Sequence, residues 1–445
     1  LSFTRNGTVP ETSVIAFSTD RAHWTLSRNG VEQGGAIDSI VYDTTLNRAT
    51  VSFTSPLGFG EYVLAASDAM EDGLGRPLDG DGGGVPGDDF AFHFGVAAEP
   101  VGSEFRVNSF IFGHQYAASV VTNSAGEFAV AWRSDPENGG FVQRYGADGQ
   151  ANGQPFRLNA VSGLDAPSLA ISPAGNMVPA WSDGGTIWAR RYDAFGVAGE
   201  EVEFRVSPPT PLERTKASVA IADDSDFVVI WQARESDSSW GIFGQRFTSL
   251  GVPVGGEFHV NQTTAGPQRF PSVAMNSDGA FIVTWTSETD NQVYGRRYDT
   301  SGTAQGNEFA VGSFSFCCAT ADLGSRVSMD SAGGFVVVWR ALDFNGLGMM
   351  ARRYDAGGNA LSDAFRVNTN QMGHQYDGAV SVNGSGEFVV TWHGNGAGDA
   401  DGIFARRFSP SGDPLGSEFR VNTTTVNAQT RPSVALDSGG NFVVA

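Results

Sequence analysis

A unit of roughly fifty residues recurs from about Glu104 to the C-terminus, with its landmarks in a constant order. It opens on an EFRVN-like segment, at Phe105, Phe156, Phe204, Phe258, Phe309, Phe365 and Phe419. A small-residue segment typified by Pro271-Ser272-Val273-Ala274 follows, then a turn, then an apolar run closing on Trp132, Trp181, Trp231, Trp285, Trp339 or Trp392. An Arg-aromatic pair such as Arg297-Tyr298 ends each unit. A unit this short cannot bury its apolar face alone, so the copies must stack on one another.

Within the copy at 271–311, the pattern predicts strands at 272–275, 281–285, 293–298 and 308–311, and no helix. Four short strands per period are the signature of propeller blades. A β-solenoid is the competing architecture, but its coils need only about 20 to 30 residues, and the dense hairpin turns favour antiparallel meanders. Six tryptophan-closed units are complete; a seventh begins at Pro432-Ser433-Val434-Ala435 and breaks off in its second strand. Residues 104–108 precede the first complete unit as a spare fourth strand, and pairing them with the last unit would remove open sheet edges. The expectation is an all-β chain with a seven-bladed β-propeller over 101–445, its last blade lacking the third strand. Because the chain opens on Leu1 and stops at Val444-Ala445, where the period would next bring tryptophan, it reads as a fragment.

Residues 1–98 do not follow the period. Strand-like runs near 24–27, 40–42, 49–54, 61–65 and 90–96, separated by Gly, Asn and Pro turns, predict a small β-sandwich. The run Ala49-Thr50-Val51-Ser52-Phe53, Pro56-Leu57, Gly60-Glu61-Tyr62 and Asp79-Gly80-Asp81-Gly82 resembles the immunoglobulin-like domains of large bacterial surface proteins. The resemblance implies an N-terminally truncated Ig-like β-sandwich. Ala98-Glu99-Pro100 would be its linker to the repeats.

A net charge of −21 argues against nucleic acid or an anionic membrane surface as a partner. Lys216 is the only lysine, which excludes a GK[ST] phosphate loop. Cys317-Cys318 are adjacent, so they form neither a disulfide framework nor a zinc-ligand set. No run of about twenty apolar residues exists for insertion into a membrane. Oligomeric state is not specified by these features.

Two kinds of candidate site stand out. Asp79, Asp81, Asp88 and Asp89 form the densest carboxylate cluster, and alternating Asp and Gly can wrap oxygen ligands around calcium. Gly83 stands where a third Asp would be expected, and no bidentate Glu follows, so a solvated acidic turn is the alternative. Asp399 and Asp401 form a second candidate calcium pair with the same alternative. Separately, Gly113-His114-Gln115-Tyr116 recurs as Gly373-His374-Gln375-Tyr376, and Gln268 and Gln429 hold the glutamine position in two other units. Imidazole, amide and phenol together can bind sugar hydroxyls. Alternatively, the glutamine caps the crossover loop of its blade. The His-Gln-Tyr triplets and the loop carrying Asp399 and Asp401 belong to the propeller face with the long second-to-third and fourth-to-first loops, where a ligand should bind near the central channel.

Scaffold roles explain the residues that do recur. The tryptophans fill space between adjacent sheets. Third-strand arginines, from Arg144 to Arg407, would face fourth-strand glutamates such as Glu104 and Glu308 across neighbouring strands. No H-E-x-x-H helix or G-x-S-x-G elbow is present, and no catalytic residue is singled out. Asn276-Ser277-Asp278-Gly279 through Trp285 matches a sialidase Asp-box only loosely, while carboxylate pairs formed between blades are invisible in sequence.

The repeat itself, with PSVA, FVVTW, ARRYD and EFRVN, resembles the tandem repeat of large secreted bacterial proteins that carry calcium-binding and immunoglobulin-like modules. That resemblance implies an extracellular or cell-surface location and an adhesion or display role. The resulting expectation is a non-catalytic protein whose long-loop face binds a glycan or a surface protein, with calcium as its one suggested cofactor. A polysaccharide hydrolase with its site at the channel mouth is the alternative.

Overall fold

In every repeat the second strand is apolar on both faces, because it lies mid-sheet with another blade packed on each side. Phe281–Ser287, for instance, is buried along its whole length. The computed structural model describes residues 2–4, 21–28, 31–43, 48–54, 60–66, 90–96, 102–109, 113–135, 139–159, 166–198, 203–315, 324–343 and 345–445. They fall into two compact units, Leu1–Gly102 and Ser103–Ala445. Among the described residues no helix is long and apolar enough to cross a membrane.

The second unit is a β-propeller of six four-stranded blades. Blade 1 comprises Gln115–Thr122, Phe128–Ser134, Gly139–Tyr145 and Ala151–Arg157. Blade 2 comprises Ser168–Ile171, Met177–Asp183, Thr186–Ala189 and Phe204–Arg205. Blade 3 comprises Arg214–Ile221, Phe227–Arg234, Trp240–Phe247 and Pro253–His259. Blade 4 comprises Gln268–Met275, Phe281–Ser287, Gln292–Tyr298 and Phe309–Ser313. Blade 5 comprises Arg326–Met329, Phe335–Leu342, Leu347–Tyr354 and Phe365–Arg366. Blade 6 comprises Gln375–Val382, Phe388–Gly396, Asp399–Phe408 and Phe419–Arg420. Each blade is an antiparallel meander whose first strand lines the channel.

The expectation of seven blades is corrected to six. The last unit supplies only a hairpin, Val434–Leu436 paired with Phe442–Val444, which lies between blades 6 and 1. In every blade the fourth strand pairs only with the third, and no third strand accompanies this hairpin. Residues 104–108 therefore form no strand. They nevertheless keep the side-chain contacts of a fourth strand. Phe105 lies 5.4 Å from Tyr145, matching the 5.4 Å between Phe258 and Tyr298 and the 5.5 Å between Phe309 and Tyr354.

Packing lies between blades. One apolar cluster joins Val229 and Trp231 of blade 3 to Ala180 and Ile187 of blade 2, and another joins Trp285 of blade 4 to Ile230 and Ile242 of blade 3. All six repeat tryptophans are buried. Recurring charges reach the adjacent blade. Arg246 donates to the carbonyls of Ser301 and Thr300 in blade 4, and Arg297, Arg353, Arg144 and Arg191 each clasp the corresponding turn of the next blade. Glu308 accepts the backbone N–H groups of Gln262 (2.6 Å) and Thr263 (3.0 Å) at the end of blade 3.

The first unit contains two small sheets. One has the order β1-β5-β4, with β1 at Ser2–Thr4, β4 at Ile37–Asp43 and β5 at Arg48–Phe53. The other has the order β3-β2-β6-β7, with β2 at Trp24–Arg28, β3 at Val31–Glu32, β6 at Gly60–Ala66 and β7 at Phe90–Val96. Trp24, Leu26, Tyr62 and Leu64 from the larger sheet share one core with Ile37, Ile40 and Val51 from the smaller. The immunoglobulin-like expectation is not met. An immunoglobulin sheet has the order A-B-E-D, so both of its hairpins, A to B and D to E, begin on an edge strand and end on an inner one. Here both hairpins of the four-stranded sheet begin on an inner strand, β2 or β6.

Candidate binding site at the channel mouth

The inner strands enclose a cavity of about 570 Å³ along the propeller axis. Their entry on the long-loop face has an unusual construction. In blades 1, 3, 4 and 6 the first strand begins with a β-bulge, between Tyr116 and Ser119, Thr215 and Ser218, Arg269 and Ser272, and Tyr376 and Ala379. The bulged residue is left-handed without being glycine: Ala117 at φ 58°, Lys216 at 57°, Phe270 at 54° and Asp377 at 48°. Arg431, at 57°, holds the same position ahead of the C-terminal hairpin. All five residues line the cavity. Such a conformation costs an L-residue on the order of 1 to 2 kcal/mol. A bulge that re-aims a side chain toward a cavity makes this cost informative about use.

The remainder of the inner strand is occupied by scaffold contacts. Ser218 Oγ accepts the Val273 N–H at 3.2 Å, Ser272 Oγ that of Val327 at 3.3 Å, and Ser328 Oγ that of Val382 at 3.0 Å. Each serine thus ties its blade to the next around the channel. At the bulged position just before this ladder the residue type differs in every copy that has it, as Ala117, Lys216, Phe270, Asp377 and Arg431.

Blade 6 adds a cluster at the mouth. His393, with a side chain only 9% exposed, holds Nδ1 3.3 Å from Asp377 Oδ2 and Nε2 3.8 Å from Asp401 Oδ1. The Tyr376 ring stacks on His393 with centroids 5.0 Å apart. Asp377 is therefore braced by its own blade. By contrast, among the described residues neither the Lys216 ammonium nor the Arg431 guanidinium has a hydrogen-bond or ion-pair partner.

The two sequence triplets are split between blades 1 and 6, with the hairpin between them. His114 is exposed, and its carbonyl accepts the Asp135 N–H at 3.0 Å. His374 Nδ1 accepts the Leu347 N–H at 3.2 Å, which ties blade 6 to blade 5. Tyr116 donates to Asp135 Oδ1 at 2.9 Å. Gln115 Oε1 accepts from the Trp132 indole at 3.1 Å, as Gln268 Oε1 does from Trp285 at 3.0 Å. Gln375 is buried; its amide donates to the Met372 carbonyl at 3.3 Å and its Oε1 accepts from Asn368 at 3.0 Å. Gln429 donates to the carbonyls of Val426 and Asn427. These glutamines hold the crossover loops, so their polar atoms are committed within the blade.

Asp399 Oδ1 accepts the Asp401 N–H at 3.1 Å, while Oδ2 accepts from the Asn422 amide at 2.9 Å. The Asn422 hydrogen bond, with that from Asp401, holds the Asp399 carboxyl below the usual aspartate range. Each Asp399 oxygen thus accepts a hydrogen bond, and Asp401 faces His393. Among the described residues no group of three or more His, Cys, Asp or Glu side chains converges around this pair. Asp79, Asp81, Asp88 and Asp89 lie outside the described residues, as do Cys317 and Cys318.

Of the mouth residues, the sequence marks Lys216 only as the single lysine and does not single out Phe270, Asp377 or Arg431. Their signal was nevertheless present, as the variable third position in Gln268-Arg269-Phe270-Pro271-Ser272 and Gln429-Thr430-Arg431-Pro432-Ser433.

No family model matches the chain, and no curated protein matches it. Among solved structures, the chain is similar to hydrazine synthase of Kuenenia stuttgartiensis (11% identity, TM-score 0.48, covering 77% of this chain and 99% of that one). It is also similar to the Dos1 propeller (12%, 0.44, covering 95% and 91%) and to TolB from Acinetobacter baumannii (14%, 0.39, covering 70% and 67%). These likenesses concern the fold alone.

Proposed function

We propose that this chain is a non-catalytic binding protein that takes a glycan or protein ligand at the channel mouth on its long-loop face. One observation carries the reading. The copies share the arginines and tryptophans that join blade to blade and differ at the left-handed bulge, which brings Lys216, Phe270, Asp377 and Arg431 to the cavity. Asp377 is braced by His393, and the Phe270 N–H donates to Gln232 Oε1 of blade 3 at 2.9 Å; the Lys216 and Arg431 head groups, held on a costly backbone with no partner among the described residues, are best explained by a ligand. The extracellular or surface location and the adhesion role rest on the resemblance of the repeat to those of large secreted bacterial proteins.

The experiment is a glycan and protein array probed with the whole chain, followed by a turnover assay on each hit. Binding without release of reducing ends is the expected result. Steady release would replace this reading with that of a polysaccharide hydrolase.

A further inference from the structure

Lys216 is the only lysine of a chain whose net charge is −21, and its side chain lines the propeller cavity with no partner among the described residues. Arg431 does the same from the far side of the ring. Arg326 joins them on the wall between. Asp377, the acidic residue among the bulged positions, is already faced by His393. The mouth of a strongly acidic protein therefore has an excess of cationic groups. Walls of low dielectric focus such a field and raise the local concentration of anions.

We infer that the channel mouth binds an acidic saccharide of the uronic-acid type, with carboxylates meeting Lys216 and Arg431 and a sugar ring lying on Phe270. The inference rests on the binding role proposed above and names its ligand class. Lys216 and Phe270 occupy equivalent bulges on adjacent blades, so neighbouring blades bring a cation and a flat apolar face to the same cavity. A sugar ring with a pendant carboxylate presents both complements at once: an apolar C–H face and an anion suited to charge-assisted hydrogen bonds. Arg431 lies across the ring, at the hairpin, which favours an oligosaccharide over a single sugar. A cavity of about 570 Å³ is within the ordinary size of small-ligand sites. An acidic peptide would satisfy the cations but has no ring for Phe270.

The test is titration calorimetry of the whole chain with tetragalacturonate, a neutral galactose tetrasaccharide and a tetra-aspartate peptide. Tetragalacturonate should bind, more weakly as salt rises, and the other two should not. Lys216→Gln and Phe270→Ala should each weaken binding by about tenfold, whereas Lys216→Arg should preserve it. Lys216→Gly removes the charge while suiting the left-handed backbone, so it separates lost binding from lost folding. Equal affinity for the neutral sugar, preference for the peptide, or unchanged binding by Lys216→Gln would each overturn the inference and leave the binding role standing. A chain that captures neither glycan nor protein on the arrays would overturn the binding role itself.

Discussion

Ser433 Oγ accepts the backbone N–H of Val120 at 3.0 Å, a bond between residues 313 positions apart that ties the C-terminal hairpin to blade 1. It repeats the contact that Ser218 and Ser272 make with Val273 and Val327. Ser381, in turn, accepts the Leu436 N–H at 3.0 Å on the other side of the hairpin. Two strands thus take a place in the serine ladder without completing a blade.

Ser433→Ala leaves the N–H of buried Val120 without its acceptor, which should cost about 1 to 3 kcal/mol. The loss should be local, because the hairpin is the smallest sheet in the ring. Limited proteolysis of the variant should nick first within 434–445, while Ser272→Ala, between two complete blades, should show no new cleavage there. Uniform cleavage in both variants would contradict a latch at the hairpin.

The clasp arginines explain a glycine in the turn between third and fourth strands. Gly302 has φ +82°, and a Cβ there would stand 2.6 Å from Arg246 Cδ. Gly306 has φ +89°, with nothing within 4 Å of such a Cβ. Both Gly302→Ala and Gly306→Ala should incur the left-handed backbone cost of about 1 to 2 kcal/mol. Only Gly302→Ala should also displace the arginine, so urea unfolding should find it the more destabilised of the two. Equal losses would mean that Arg246 contributes nothing to the interface.

The same contacts show what could be read in the chain beforehand. The period, the four strands and the tryptophan positions were legible because each depends on local pattern and burial. The order Pro271-Ser272-Val273-Ala274 was visible, but not its use, since the Ser272 partner lies 55 residues on in another blade. Blade count failed for the same reason: 104–108 has strand-like residues but no third strand to receive its hydrogen bonds. In the N-terminal unit the strands near Trp24 and Tyr62 were found, whereas the sheet order that excludes an immunoglobulin pattern is a matter of pairing. Lys216 stood out as a lone lysine, yet its place at the channel mouth depends on a bulge that leaves no fixed residue type.

Gln268 is fully buried and occupied on both ends, accepting from the Trp285 indole and donating toward the Ala265 carbonyl. Gln268→Ala should strand the indole N–H and loosen the loop before blade 4, at a cost of about 1 to 3 kcal/mol before any cavity term. Gln268→Glu keeps an acceptor for Trp285 but loses the donor and buries a charge, so it should be the worse replacement at neutral pH. Thermal melts that rank the two in the opposite order would show that volume, not hydrogen bonding, governs this position.

Glu104 gives the chain a pH dependence at the ring seam. Hydrogen bonds from the Thr423 side chain and the Thr423 and Thr424 N–H groups hold its carboxyl below the usual glutamate range. A carboxyl whose folded pKa is depressed stabilises the fold fully above its unfolded pKa, roughly 4.3, and loses that contribution as pH falls through the lower folded value. Glu104→Gln should therefore be less stable than the parent at neutral pH, and the gap should close as the solution is acidified below about pH 4. Taking the difference between the two chains cancels the other depressed carboxyls, Asp299, Asp355 and Asp399 among them. Thr423→Val removes the largest of the three contributions, so the acid limb of its stability curve should begin at a higher pH than the parent's. A gap between the parent and the Glu104→Gln variant that stays constant from about pH 7 to pH 3 would show that the Glu104 charge has no part in holding the seam.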